Sequence, residues 1–164
     1  GELGVDVSDQ VAEEFGTSVG QWPAFADSMA ALQILASHYR LIILSNIDRA
    51  SFAASNEKLG VTFDAIITAE DLGSYKPNPR NFAALIGCVK ELEIPTGKLL
   101  HVAQSLFHDH VPAKEIGLPT VWINRRHGKS GWGATPDPGS AVTPDWEFTS
   151  MAGFAEAVQI DATQ

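Results

Sequence analysis

Four short apolar runs, set apart by stretches with helical spacing, constrain the fold of this chain more than any other feature. Residues 40–45, 65–68, 99–103 and 120–123 are predominantly apolar over strand length rather than alternating. That pattern belongs to strands buried on both faces of a parallel sheet. Between them the spacing predicts helices over 51–59, ending at Gly60, over 79–92, capped by Asn78, and over 112–116, stopping at Gly117. A helix is expected over 8–15, in register with Val7, Val11 and Phe15 and broken by Gly16, Gly20 and Pro23. Asp27 is the natural N-cap of the next, which carries Met29, Leu32, Ile34, Leu35 and Tyr39. A strand over 146–148 and a helix over 150–158 close the chain. Strand, helix and strand repeating at this interval require right-handed crossovers, so the expected class is α/β, a Rossmann-like parallel sheet flanked by helices.

At 164 residues and 45% hydrophobic content, the chain is large enough for one domain with a real core. Its 20 acidic against 11 basic residues give a net charge of -9 with no basic cluster, which argues against nucleic acid as a partner. Cys88, the only cysteine, has no internal disulfide partner and falls in an apolar helical stretch, the setting of an inert buried thiol. No apolar segment reaches the ~20 residues of a membrane span and no signal-peptide pattern opens the chain. A cytoplasmic location with no membrane partner is the expectation. Residues 125–144 hold four Gly and three Pro, which describes an irregular loop, more simply a connection than a shield over a site.

Ligands of an open parallel sheet gather at the carboxyl ends of its strands. Ser45 and Asn46 stand there after the first run, Gln104 and Ser105 after the third, with Asp109 shortly beyond. Lys76 lies in a proline-stiffened turn before the long helix, from which an ammonium can project into a site. Taken singly, each has a plain reading: Ser45 satisfies backbone groups at a turn, and Lys76 is solvated. The pair His108 and His110 around Asp109 suggests a metal, yet side chains so close in sequence point apart, and both His are expected to be partly exposed.

In their order, these segments resemble the haloacid dehalogenase superfamily of hydrolases, and its L-2-haloacid dehalogenase branch in particular. The resemblance rests on Ser45-Asn46, on Gly73-Ser74-Tyr75-Lys76-Pro77-Asn78-Pro79, on His101-Val102-Ala103-Gln104-Ser105 with Asp109, and on Trp122-Ile123-Asn124-Arg125. It runs from about Leu3 to the end. It implies a small-molecule substrate, with Ser45 and Asn46 binding substrate carboxylate and departing halide. Lys76 would stabilise an anionic nucleophile, Gln104 or Ser105 would supply the polar group beside it, and Asp109 would orient Lys76 and the hydrolytic water. Phosphatases of the superfamily carry a Gly-Asp where this chain has Ala103-Gln104. Mg²⁺ prefers carboxylate oxygen, so no cofactor is expected, and Mg²⁺ only under the phosphatase alternative.

One expected part is missing from the motif order. In the family an Asp ending the first core strand is the nucleophile, and only about 40 residues precede Ser45 here. Asp6 follows too short and glycine-rich a run to sit on a buried strand, and Asp48 reads as a helix cap. The resemblance therefore implies residues 1–22 as a remnant of a helical cap and 23–164 as a core lacking its first strand, N-terminally truncated. The absent strand would lie between those ending at Ser45 and Ala103. The expected function is a 2-haloacid dehalogenase-like hydrolase, inactive as the isolated chain, with association as a homodimer or by segment swap. A Mg²⁺-dependent phosphatase and a non-catalytic truncated protein kept for binding or assembly are the alternatives.

Overall fold

The structure is a computed structural model that describes residues 8–139 and 142–161. Val7, Asp6 and the start of the resemblance at Leu3 lie outside the described residues. The chain opens with helix α1 (Asp9–Thr17), capped by Ser8, and a 3-10 turn over Ser18–Gln21. Helix α2 (Ser28–His38) leads into strand β1 (Ile42–Ser45), then α3 (Arg49–Leu59), β2 (Ala65–Thr68) and the short α4 (Ala69–Leu72). Helix α5 (Pro79–Glu91), strand β3 (His101–Ala103), α6 (Val111–Glu115), β4 (Thr120–Ile123), β5 (Trp146–Phe148) and α7 (Met151–Asp161) complete it.

Local chemistry sets most boundaries. Asp48 accepts the Ser51 amide at the start of α3, and Gly60, at φ 63°, closes that helix in the left-handed region. Asn78 accepts the Arg80 amide and Pro79 stands at the first turn of α5. Helix α4, which periodicity does not announce, is started by a capping box in which Thr68 and Asp71 satisfy each other's amides.

All pairing is parallel. β1 and β2 run in register from Ile42 opposite Ala65 to Ser45 opposite Thr68. β3 joins β4 with His101 opposite Thr120, and β4 joins β5 with Val121 opposite Trp146. β1 and β3 are not hydrogen-bonded to each other, so the strands form a two-stranded and a three-stranded sheet. Both sheets pack between the same helix layers. Ala31 and Leu35 of α2, Phe154 and Ala155 of α7, and Val121 and Ile123 of β4 form one core, joined by Leu41, Leu100 and Val102. Phe82, Leu85 and Val89 of α5, Ala113 of α6 and Ile67 of β2 form the other, joined by Ile42, Leu44 and Leu99. Alternate side chains leading into and along β1 and β3 thus enter opposite cores. β1 and β3 each stand at the end of a sheet, so each has one side without a strand partner among the described residues.

Four expectations need correction. Asp27 makes no side-chain cap to its own helix; its carboxylate accepts instead from Met151 N and Ala152 N at the start of α7 and pairs with Arg125. α1 runs through Gly16 to Thr17, because nothing packs against that glycine and the helix end is instead closed by Thr17 and Ser18 side chains bonding back to carbonyls. Leu106–His110 form a π-helical turn ahead of α6, where only a helix around 112 was expected. The two His are not both partly exposed: His110 is fully buried and His108 half-buried. Among the described residues no helix is long and apolar enough to cross a membrane.

Candidate active site

Lys76 is held by its own backbone before its ammonium is placed. Helix α4 ends at Gly73, and the fully buried Asn81 accepts from Ser74 Oγ and donates to Ser74 O, anchoring the turn to α5. Asn46, just beyond β1, then grips Lys76 reciprocally: its Oδ1 accepts from Lys76 N at 2.7 Å and its Nδ2 donates to Lys76 O at 3.0 Å. The Lys76–Pro77 peptide is cis.

The ammonium so placed donates to the carbonyl of Leu44 at 2.8 Å and to Asp109 Oδ1 at 2.6 Å. Leu44 immediately precedes Ser45, so the three motifs meet at the carboxyl end of β1. Asp109 comes from the π-helical turn after β3. Ser105 shapes that turn, since its carbonyl accepts from Asp109 N and His110 N while its Oγ accepts from His108 N. Lys76 and Asp109 side chains are 10% and 8% exposed.

His101, at the first position of β3, completes the cluster with its Nε2 3.1 Å from the same Asp109 oxygen. Burial by itself would raise the Asp109 carboxyl, but the His101 hydrogen bond and the Lys76 charge outweigh it and hold the group below the ordinary carboxylate range. His110 Nε2 lies 3.0 Å from Ala103 O, and its buried Nδ1 has no partner. A neutral ring donating from Nε2 fits that setting, and burial pushes its pKa below the usual histidine value.

The sequence candidates therefore divide. Asn46, Lys76 and Asp109 are in direct contact, with Ser45 adjoining. The half-buried Ser45 makes no side-chain hydrogen bond among the described residues. Ser105 is buried and supports the turn that carries Asp109. Gln104 turns away: it is exposed, its carbonyl accepts from Trp122 Nε1, and it lines a cavity that does not include Lys76 or Asp109. His101 was not singled out from sequence; the available signal was one imidazole heading an otherwise apolar strand. For Mg²⁺ the residues present do not fit. Among the described residues no three of His, Cys, Asp and Glu stand together, and the Asp109 oxygen that faces the cluster is already held by Lys76 and His101.

Comparison with known proteins places this geometry. No family model matches the chain. An (S)-2-haloacid dehalogenase of Pseudomonas putida is 27% identical over 129 residues, which are 77% of this chain and 55% of that protein. The chain thus spans about half the length of the curated relatives it matches. Among solved structures, the L-2-haloacid dehalogenase of Xanthobacter autotrophicus superposes with a TM-score of 0.76 at 20% identity, covering 96% of this chain and 70% of that one. A HAD phosphatase from Thermococcus onnurineus superposes with a TM-score of 0.67 at 23% identity, covering 94% and 66%. In sequence this chain is thus similar to (S)-2-haloacid dehalogenases, and in fold it is similar to L-2-haloacid dehalogenases and to a HAD phosphatase.

Proposed function

We propose that this chain carries the supporting half of a 2-haloacid dehalogenase-like site, which hydrolyses a small organic acid through a carboxylate nucleophile. A carboxylate oxygen attacks the carbon bearing the halogen, the carbon–halogen bond breaks, and halide leaves. Water then cleaves the resulting ester, returning the carboxylate and releasing a hydroxy acid. Lys76 stabilises the carboxylate before attack and the negative charge that returns to it as water cleaves the ester. Asp109 and Leu44 O keep the ammonium in place, so no reorganisation is needed at the moment of reaction. Ser45 Oγ, which makes no hydrogen bond among the described residues, donates to the substrate carboxylate; Asn46 acts first by fixing Lys76 and lies beside the path of the halide.

The single observation that carries this reading is the Lys76 ammonium, buried and bonded to both Asp109 and the carboxyl end of β1. Asp109 is the one carboxylate that touches Lys76 among the described residues, and its Oδ1 is engaged by both Lys76 and His101. The nucleophile is therefore delivered by another segment, extended between β1 and β3, where both strands have an unpaired side. Without that segment the described residues do not turn over, and pairing of those edges with a second copy is favoured. Residues 8–22 form an outer element against α3, with Lys58 Nζ donating to Gly20 O and Trp22 O, which supports assigning 1–22 to a cap and 23–164 to the core.

The test is halide release from a 2-haloacid by the protein at its natural length, without added metal, beside phosphate release from a phosphomonoester with Mg²⁺. Metal-independent halide release is expected. Mg²⁺-dependent phosphate release with no halide would overturn the proposal in favour of the phosphatase reading.

A further inference from the structure

Residues 126–135, part of the loop read from sequence as a connection, build one wall of a cavity at the carboxyl ends of β3 and β4. The cavity has a volume of about 270 Å³ and is lined by Gln104, Trp122, Asn124, Arg126, Lys129 and Trp132, among others. Its charge is unlike that of the chain. Among the described residues two cations and no carboxylate line it, on a protein of net charge -9.

Arg126 is built into place rather than left to solvent. Its amide is held by Asn124 Oδ1 and its Nη2 donates to Ser130 O, while Nε is buried without a partner. Gly133, at φ 72°, lies so close that a Cβ there would stand 2.8 Å from Arg126 Cδ. Trp122 and Trp132 provide planar apolar surface alongside, and Trp122 is fixed by its bond to Gln104 O.

We infer that this cavity binds a small organic oxyanion with a planar apolar body, its carboxylate or phosphate held by the Arg126 guanidinium and Lys129 and its ring set against Trp122 and Trp132. Arg supplies the planar, directional half of the recognition and Lys the point charge, while the indoles supply the apolar contact. The inference concerns a site apart from the Lys76 cluster and does not depend on the reaction proposed there.

The test is titration of the protein with 2-naphthoate, 2-naphthyl phosphate and the neutral 2-naphthamide, followed by calorimetry and by indole fluorescence. Saturable binding of at least one anion is expected, weakened by salt, and about tenfold or more tighter than the amide, the worth of one charge-assisted hydrogen bond. The preference between the first two probes identifies the oxyanion. Arg126→Met should remove that preference. Lys129→Met, at an exposed position, gives a second reading that does not depend on loop folding and should weaken both anions without affecting the amide. Equal affinity for acid and amide, or no saturation by any probe in the millimolar range, would overturn the inference.

Discussion

Lys76 Nζ and Asp109 Oδ1 stand 2.6 Å apart with both side chains nearly excluded from solvent, and they join segments that are 33 residues apart in the chain. The pair couples the turn between α4 and α5 to the turn after β3. Removing one member of such a pair strands the other, at a cost of about 3–5 kcal/mol. The two single variants should not be equal. Lys76→Met leaves Asp109 with His101, whereas Asp109→Asn leaves the ammonium with only a carbonyl and a neutral amide. Urea unfolding should therefore rank Asp109→Asn as the more damaging, with the double variant less damaged than the sum. Additive losses would mean the contact carries no coupling energy.

His110 predicts a pH dependence of its own. Its folded-state pKa lies below the ordinary 6.5 because burial disfavours the charged ring, so the unfolded chain binds the proton more readily than the folded one. The stability it contributes is complete above about 6.5 and is lost as pH falls below that value, by at most about 1.4 kcal/mol per unit. Asp109, depressed below 3.8, adds a second loss only as pH falls through the carboxylate range. The urea midpoint should decline between pH 7 and 5 in the parent and decline less in His110→Gln. Identical slopes in the two proteins would contradict this assignment.

Asp27 does for α7 what sequence suggested it does for α2. Burial alone would raise its carboxyl, but Arg125 and the amides opening α7 hold it below the usual range, and Arg125 in turn lies over the Phe25 ring at 4.0 Å. Asp27→Ala should cost about 1–2 kcal/mol, as loss of a good helix cap does. A loss confined to a few tenths would show that the ends of α2 and α7 are joined by packing alone.

Glu93 follows α5 with φ 59°, a left-handed conformation that its side chain makes unfavourable, while its amide closes the helix on Lys90 O. Glu93→Gly should stabilise the protein by about 1 kcal/mol, read as a higher thermal midpoint. A lower midpoint would mean the carboxylate makes a compensating contact.

What the sequence made legible was what local chemistry determines. β2 and β4 fall where their apolar runs stand, β5 falls where a closing strand is expected, and α3 and α5 begin at the Asp48 and Asn78 caps. Asn46, Lys76 and Asp109 were identifiable because each lies at a strand end or a stiffened turn. Asp27 misled because a carboxylate before a helix looks the same whichever helix it caps, and the amides it serves are 124 and 125 residues away. His101 stands in a motif but takes no role from sequence, because an imidazole in an apolar strand has no meaning until its partner is placed. The loop over 125–144 gave no hint of a cavity, since Gly and Pro describe how a chain turns and not what it encloses.

The measurement that bears most directly on the Lys76–Asp109 cluster is metal-independent halide release from a 2-haloacid by the Lys76→Met, Asp109→Asn double variant, compared with the parent at natural length. Removing both charges together spares the fold the stranded ion of either single change, so the rate reports on chemistry. A drop of about 100-fold or more, with a native circular dichroism spectrum, is expected for loss of a preorganised cation at the reacting carboxylate. A folded double variant releasing halide at the parent rate would contradict the account.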